Sequence, residues 1–328
     1  MTQLLAAIDL GTNTVRVLVA EADPTTGLAL LWADQIVTRL GEGLTRRGVL
    51  APAAAERTLV AVRGYRDRAR ALGATEILLV ATAAVRQARD GSAFLARLRA
   101  EPGIHPRIVS GEEEAALTLL GATWGLGTVA GTFALLDIGG GSTEVLVAEG
   151  NHVLMAVSLT LGVVELVERF FVHERVEPED LAACRAHVDT RLREEGWPRI
   201  RPYRPTVLVA TAGTPTTLAS LDLGLRAYDP ARVQGHQLTG PAIERLTTRL
   251  AALPLAERAR TPGLEPGRAD VIVPGAVVLA AALAGLGLRA AVVSDAGLRE
   301  GILLDAVGWC PRAGPDARLG RWPDEPMA

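Results

Sequence analysis

The feature that most constrains this chain is a segment written twice. AAIDLGTNTVRVLVAE, Ala6 to Glu21, returns as LLDIGGGSTEVLVAE, Leu135 to Glu149, with Asp137 standing 128 residues after Asp9. The Asp, the Gly two residues later and the run Val-Leu-Val-Ala-Glu are identical in both copies. Each copy alternates apolar and small residues, turns at glycine and hydroxyl residues, and resumes in β-branched ones, which is the pattern of a β-hairpin. A chain of 328 residues is long for one domain and suits two. The repeat therefore predicts one structural unit used once in each of two tandem α/β domains, with the two turns facing each other across a cleft.

The rest of the pattern supports that division. After the first hairpin, ALLWADQIVTRLG extends the sheet, and helical spacing runs from Ala51 to Gly73. A strand (EILLVAT), a helix around ATAAVRQARDGSAFLARL, a strand (PRIVS) and the helix of GEEEAALTLLGA follow. The glycine-rich stretch from Gly121 to Gly131 lacks helical period and reads as the domain boundary. The expected domains are residues 1–125, completed by a C-terminal helix over 297–311, and residues 126–296, with a flexible Pro/Gly-rich tail over 312–328.

Composition excludes several classes. The chain is 49% hydrophobic and 22% charged, the mark of a folded protein. Cys184 and Cys310 are far apart and the five histidines form no metal-ligand spacing, which excludes a disulfide scaffold and a histidine or cysteine metal site. All 34 basic residues are arginine, so a lysine-dependent P-loop and a Schiff-base mechanism are excluded. The uncharged run from Val271 to Leu288 reads as a buried helix, because Pro274 and Gly275 interrupt it early and alanines fill it. The two scattered cysteines suit a reducing, cytoplasmic setting, no basic region precedes the first apolar strand as a secretion signal would need, and neither a membrane nor a nucleic-acid partner is expected.

An Asp at the end of a buried strand, followed by Gly and small hydroxyl residues, leaves backbone N–H groups open to an anion. Such an Asp reaches phosphate through Mg²⁺, because hard carboxylate and phosphate oxygens share that ion readily. Gly139, Gly140 and Gly141 alone would also suit a plain tight hairpin; repetition at equal spacing favours phosphate binding. A third signal is IVSGEEEAALTLLGA, where Ser110 and Glu113 have the spacing of a capping box. Glu112 and Glu114 remain, and the helix dipole by itself accounts for acids there.

Taken together, DLGTNTVR, ATAAVRQA, VSGEEEA, DIGGGSTE, SLTLGVVEL, TAGTPTTLA, GRADVIVPG and SDAGLREG, in that order from Ile8 to about Leu304, resemble the exopolyphosphatase and guanosine pentaphosphate phosphohydrolase family. The resemblance implies two tandem ribonuclease H-like domains of the actin, sugar-kinase and Hsp70 type with an interdomain cleft, and a short two-domain form lacking the extra helical domains of longer relatives. It implies that Glu114 is the base that activates water. It further implies metal binding at Asp137, Glu144 and Asp9, and phosphate binding at Gly11, Thr12, Asn13, Thr14, Arg16, Arg86, Gly139, Gly140, Gly141, Ser142, Thr143 and Arg268. Thr12 and Thr14 stand where the family carries serines, and Ala83 and the run Gln87-Ala88-Arg89-Asp90 depart from its pattern around Arg86.

The expected activity is Mg²⁺-dependent hydrolysis, or hydrolysis with another divalent cation, of the terminal phosphoanhydride of inorganic polyphosphate, by a homodimer. Guanosine pentaphosphate is the alternative substrate, placed second because aromatic residues, which would stack on a base, are only 4% of the chain. Phosphate transfer to ADP and a non-catalytic nucleotide sensor are the rivals from other classes.

Overall fold

Both copies of the repeated segment fold as hairpins in the structure, a computed structural model that describes residues 1–127 and 129–309. The first part of the chain gives β1 (Gln3–Leu10), β2 (Thr14–Asp23), β3 (Gly27–Val37), α1 (Leu44–Arg47), α2 (Pro52–Ala71), β4 (Glu76–Ala81), α3 (Ala83–Gln87), α4 (Gly91–Arg99), β5 (Ile104–Ile108) and α5 (Gly111–Leu126). Then follow β6 (Thr132–Ile138), β7 (Thr143–Glu149), β8 (His152–Leu159), α6 (Val163–Phe170), α7 (Pro178–Arg191), α8 (Trp197–Ile200), β9 (Val207–Thr211), α9 (Gly213–Asp222) and α10 (Pro230–Val233). The chain continues through β10 (Gln237–Thr239), α11 (Gly240–Ala251), α12 (Leu255–Arg258), α13 (Ile272–Leu286), β11 (Ala290–Val293) and α14 (Leu298–Ala306). One compact unit takes in the chain up to residue 127 and again from Ala296; the other is Val129–Asp295.

The two sheets have the same plan. In the first the order is β3-β2-β1-β4-β5, with an antiparallel meander β1-β2-β3 and parallel steps from β1 to β4 to β5. In the second it is β8-β7-β6-β9-β11-β10, again a meander followed by parallel steps from β6 to β9 to β11, with β10 added antiparallel at the edge. Each sheet has the strand order expected of a ribonuclease H-like domain, and the chain carries two such domains in tandem.

Burial explains why the inner strands are apolar on both faces. Along β1, Ala6, Ile8 and Leu10 join a core with Leu59 and Val62 of α2, while Leu5 and Ala7 join a second core with Leu117 of α5 and Leu303 of α14. A strand with period two that serves two cores reads as a continuous apolar run. The second unit has its main core on one face of its sheet, where Ala134, Leu136 and Ile138 of β6 meet α13. α13 lies within the run expected to be a buried helix, and no helix among the described residues is long and apolar enough to cross a membrane. Cys184 is buried and free, and burial pushes its thiol up to about 12, which disfavours the thiolate at neutral pH.

Three expectations are corrected. The glycine-rich stretch is not a linker from Gly121 onward, since α5 runs through Gly121 and Gly125 to Leu126. The reason is tertiary: a Cβ on Gly121 would stand 1.9 Å from the Gly297 carbonyl, and one on Gly301 would stand 1.8 Å from the Leu117 carbonyl. These glycines let α5 and α14 touch backbone to backbone. The segment around Arg86 is two helices, broken at 88–90, where Asp90 accepts a hydrogen bond from Leu50 N at 3.0 Å. The C-terminal helix ends at Ala306 rather than 311, because Gly308 takes a left-handed conformation (φ 65°) and Trp309 N returns to the Leu304 carbonyl at 2.9 Å. The tail expected over 312–328 and Cys310 lie outside the described residues.

The glycine contact between α5 and α14 generates a stability prediction. Gly301→Ala forces the two helices apart and is expected to cost about 1–3 kcal/mol, as overpacking does. Denaturant unfolding of the variant against the parent measures it; an unchanged midpoint would show that the helices separate without cost.

Candidate functional site

Functional side chains collect where the parallel strands end, the usual location of ligands in open α/β sheets. In the first unit β1, β4 and β5 end at Leu10, Ala81 and Ile108, and lead into the Gly11 turn, α3 and the N-cap of α5. Thr82 ties two of these together, donating to the Leu10 carbonyl from its N–H at 3.2 Å and from its hydroxyl at 3.3 Å. Val109 N reaches the Ala81 carbonyl at 3.2 Å. In the second unit β6, β9 and β11 end at Ile138, Thr211 and Val293, next to the Gly139 turn, the start of α9 and Ser294.

The two turns are built alike. Gly11 N donates to the Thr14 carbonyl at 3.1 Å, and Gly139 N to the Ser142 carbonyl at 3.0 Å. A Cβ on Gly11 would come within 2.9 Å of that Thr14 oxygen and force a shift, and one on Gly139 would meet the Ser142 oxygen at 3.0 Å, a tight approach that leaves little room for a side chain. A later segment takes up the turn's carbonyls in each case. Thr38 and Arg39 donate to the Asn13 carbonyl at 3.0 and 2.9 Å, and Gly41 to the Thr12 carbonyl at 2.9 Å. In the second unit Val163 and Val164 donate to the Gly139 and Gly140 carbonyls at 3.1 and 2.9 Å. With the carbonyls engaged, the turns have N–H groups and hydroxyls to offer an anion. The Thr12 methyl packs at Gly41, and the buried Thr12 hydroxyl has no partner among the described residues.

Across the turn the two units differ. Asp9 lies opposite Arg16 in register, and Asp137 lies opposite Glu144. The Arg16 guanidinium makes no hydrogen bond or ion pair among the described residues, which leaves it available to an anion. Asp137 and Glu144 are both buried, and cross-strand partners share a face, so two carboxylates stand side by side where like charges repel. Ser158, opposite Glu144 on β8, donates to Glu144 Oε1 at 2.7 Å and fixes its orientation. Two hard oxygen donors suit Mg²⁺, which takes one or two carboxylates and fills its remaining positions with water and phosphate. Among the described residues no group of three or more His, Cys, Asp or Glu is gathered to hold a metal without such help.

The start of α5 carries the acids. Ser110 caps it, accepting from Glu113 N at 3.1 Å, but the Glu113 carboxylate pairs with the exposed Arg107 instead of closing a capping box. Glu114 is buried, and its Oε2 accepts from Arg86 Nη1 at 2.9 Å. The same Arg86 nitrogen donates to the Val109 carbonyl at 2.9 Å.

Arg268 is buried, with Nε on Glu265 Oε2 at 2.8 Å, and its guanidinium lies over Gly213, where a Cβ would meet Nη1 at 1.6 Å. Gly213 opens α9 directly after Ala212, whose φ of 72° and ψ of −170° are a conformation nearly confined to glycine. The loop holding Arg268 is anchored by Arg258, a buried guanidinium that donates to the carbonyls of Leu250, Leu253 and Ala269 at 2.8, 3.0 and 3.1 Å. Burial pulls the Arg258 pKa down, with Asp270 opposing. Sequence reasoning missed Ser158, Arg258 and the strained Ala212. Ser158 was within reach, since it opens the quoted SLTLGVVEL and alternates with apolar neighbours; nothing in AERAR marks Arg258 as buried.

With this geometry in place, comparison with known proteins is informative. The sequence matches the model of the Ppx/GppA phosphatase family over residues 18–309. It is 33% identical over 322 residues to exopolyphosphatase 2 of Mycobacterium tuberculosis, covering 93% of this chain and 98% of that one. The crystal structure of an exopolyphosphatase from Cytophaga hutchinsonii superposes with a TM-score of 0.85 at 26% identity, covering 93% of this chain and 99% of that one. The Ppx/GppA family member from Aquifex aeolicus gives a TM-score of 0.77 at 28% identity, covering 94% and 98%.

The strained residue gives a prediction of its own. Ala212→Gly removes a backbone conformation that costs on the order of 1–3 kcal/mol in a residue with a Cβ. Glycine's greater freedom in the unfolded chain offsets part of that, so a net stabilisation of about 1 kcal/mol is expected. Denaturant midpoints measure it, and a destabilised variant would mean that the methyl group packs better than the strain costs.

Proposed function

Because the chain belongs to the Ppx/GppA phosphatase family, we propose that it is a metal-dependent exopolyphosphatase, hydrolysing the terminal phosphoanhydride of inorganic polyphosphate. The observation that carries the metal-dependent reading is the buried pair Asp137 and Glu144 in cross-strand register, beside a glycine turn whose carbonyls are already engaged. Two adjacent carboxylates are an unfavourable arrangement for binding a polyanion unless a cation lies between them and it. Asp137 and Glu144 would hold Mg²⁺, which would supply charge neutralisation at phosphate oxygens.

The protein's own groups do the rest. In each unit the amides and hydroxyls of its glycine turn bind phosphate oxygens, with Arg16 in the first unit and Arg268 in the second to offset their charge. Glu114 takes the proton of the attacking water as the P–O bond to the leaving phosphate breaks. Asp9, opposite Arg16, belongs to a turn of the same build and is the third candidate metal residue. Polyphosphate is preferred over guanosine pentaphosphate because neither turn, Gly11 to Thr14 or Gly139 to Thr143, contains an aromatic side chain to stack on a base. Phosphate release measured side by side from the two substrates tests this choice; faster release from the guanosine nucleotide would reverse it.

Two further outcomes are expected. Glu114→Gln lowers turnover about 10²–10⁴-fold while the fold is retained. Glu113→Gln stays near the parent rate, because its pair with Arg107 is exposed and such pairs contribute little. Equal losses in both would assign the base wrongly. Chelation is expected to stop phosphate release without unfolding the protein, and Glu144→Ala to raise the Mg²⁺ concentration needed for half-maximal activity. Full activity in excess chelator would end the metal proposal.

A further inference from the structure

Arg86 was expected among the phosphate ligands, yet its contacts turn it toward the base. Its Nη1 nitrogen carries two hydrogens and meets two acceptors, the Val109 carbonyl and Glu114 Oε2, each at 2.9 Å. That nitrogen cannot donate to a phosphate without giving up one of them. The pair is also largely withdrawn from water, with side-chain exposures of 23% for Arg86 and 9% for Glu114, unlike the Arg107–Glu113 pair at 44% and 42%. Solvent screening, which makes surface pairs weak, is much reduced here.

The surroundings make Arg86 a rigid bracket. It sits in the last turn of α3, whose first contact is Thr82 on the Leu10 carbonyl, immediately before the Gly11 turn. α3 has no slack behind it, since a Cβ on Gly91 would lie 2.0 Å from the Val85 carbonyl. Val109 precedes Ser110, which caps the helix that carries Glu114. A continuous series of hydrogen bonds thus runs from Leu10 through Thr82 and α3 to Arg86, and from there to both the backbone at the head of α5 and the Glu114 carboxylate. All of it lies in the first unit. A general base must be held to within a fraction of an ångström of its working position, and a 1 Å misplacement can cost about 10²-fold in rate.

We infer that Arg86 is a positioning residue for the general base: it fixes the Glu114 carboxylate relative to the Gly11 turn and contributes little to holding the substrate's phosphates. The inference rests on the reading of Glu114 as the base, and the test separates the two. Arg86→Gln is made alone and together with Glu114→Gln. Turnover of polyphosphate is measured for each, along with the affinity for a polyphosphate analogue with non-hydrolysable bridging groups, in the presence of Mg²⁺. The expected result for Arg86→Gln is a fall in kcat of up to about 10²-fold, with KM and analogue affinity within about twofold of the parent. The double variant is expected to be no slower than Glu114→Gln alone, because the two residues act as one unit.

An analogue affinity weakened tenfold or more by Arg86→Gln in both backgrounds would make Arg86 a phosphate ligand and overturn the inference. An unchanged kcat, or losses that multiply in the double variant, would overturn it as well. Full turnover by Glu114→Gln would instead remove the base assignment itself, a result visible without any change at Arg86. Should Arg86→Gln fail to fold, Arg86→Lys, which keeps the charge but loses the forked geometry, carries the same comparison.

Discussion

Everything at the site depends on one strand in each sheet having two different kinds of neighbour. β1 pairs antiparallel with β2 and parallel with β4, and β6 pairs antiparallel with β7 and parallel with β9. The antiparallel side places the turn at the end of the strand. The parallel side brings further strand ends, each with its following helix, to the same edge. A hairpin alone would present a glycine turn to solvent with nothing beside it. A parallel sheet alone would lack the short turn whose carbonyls can be engaged from behind.

Within that frame, duplication supplies two turns of the same build that differ at one cross-strand position. Opposite the Asp, the first unit has Arg16 and the second has Glu144. The charge at that register position therefore differs in sign between the two units, positive in the first and negative in the second. The neighbouring side chains follow the difference: Ser158 stands behind Glu144, whereas the first turn is held by a segment that includes Arg39 in a left-handed conformation (φ 52°). Strain recurs at Ala212 beneath Arg268, and sites commonly store it. Buried Arg258 belongs to the same supporting layer, spending a guanidinium on three carbonyls to hold the loop that carries Arg268.

The sequence by itself determined the architecture and the identity of most chemical groups. Period two in the repeated segments specifies hairpins, because side chains alternate between two faces whatever surrounds them. The equal spacing of Asp9 and Asp137 reveals the second unit, since a structural unit copied with its turn keeps its internal distances. What the sequence left open depends on contacts between residues far apart in the chain. Gly121 reads as a breaker by local propensity, yet it is helical because α14 needs its missing side chain. Glu113 has the spacing of a capping box, but Arg107 is in reach and takes its carboxylate. Arg86 has a charge that suits phosphate, and only the tertiary structure brings Val109 and Glu114 to the same nitrogen. Local rules fix which backbone conformations are cheap; which partner a long polar side chain finds is decided by the folded neighbourhood, where several acceptors compete and distance selects among them.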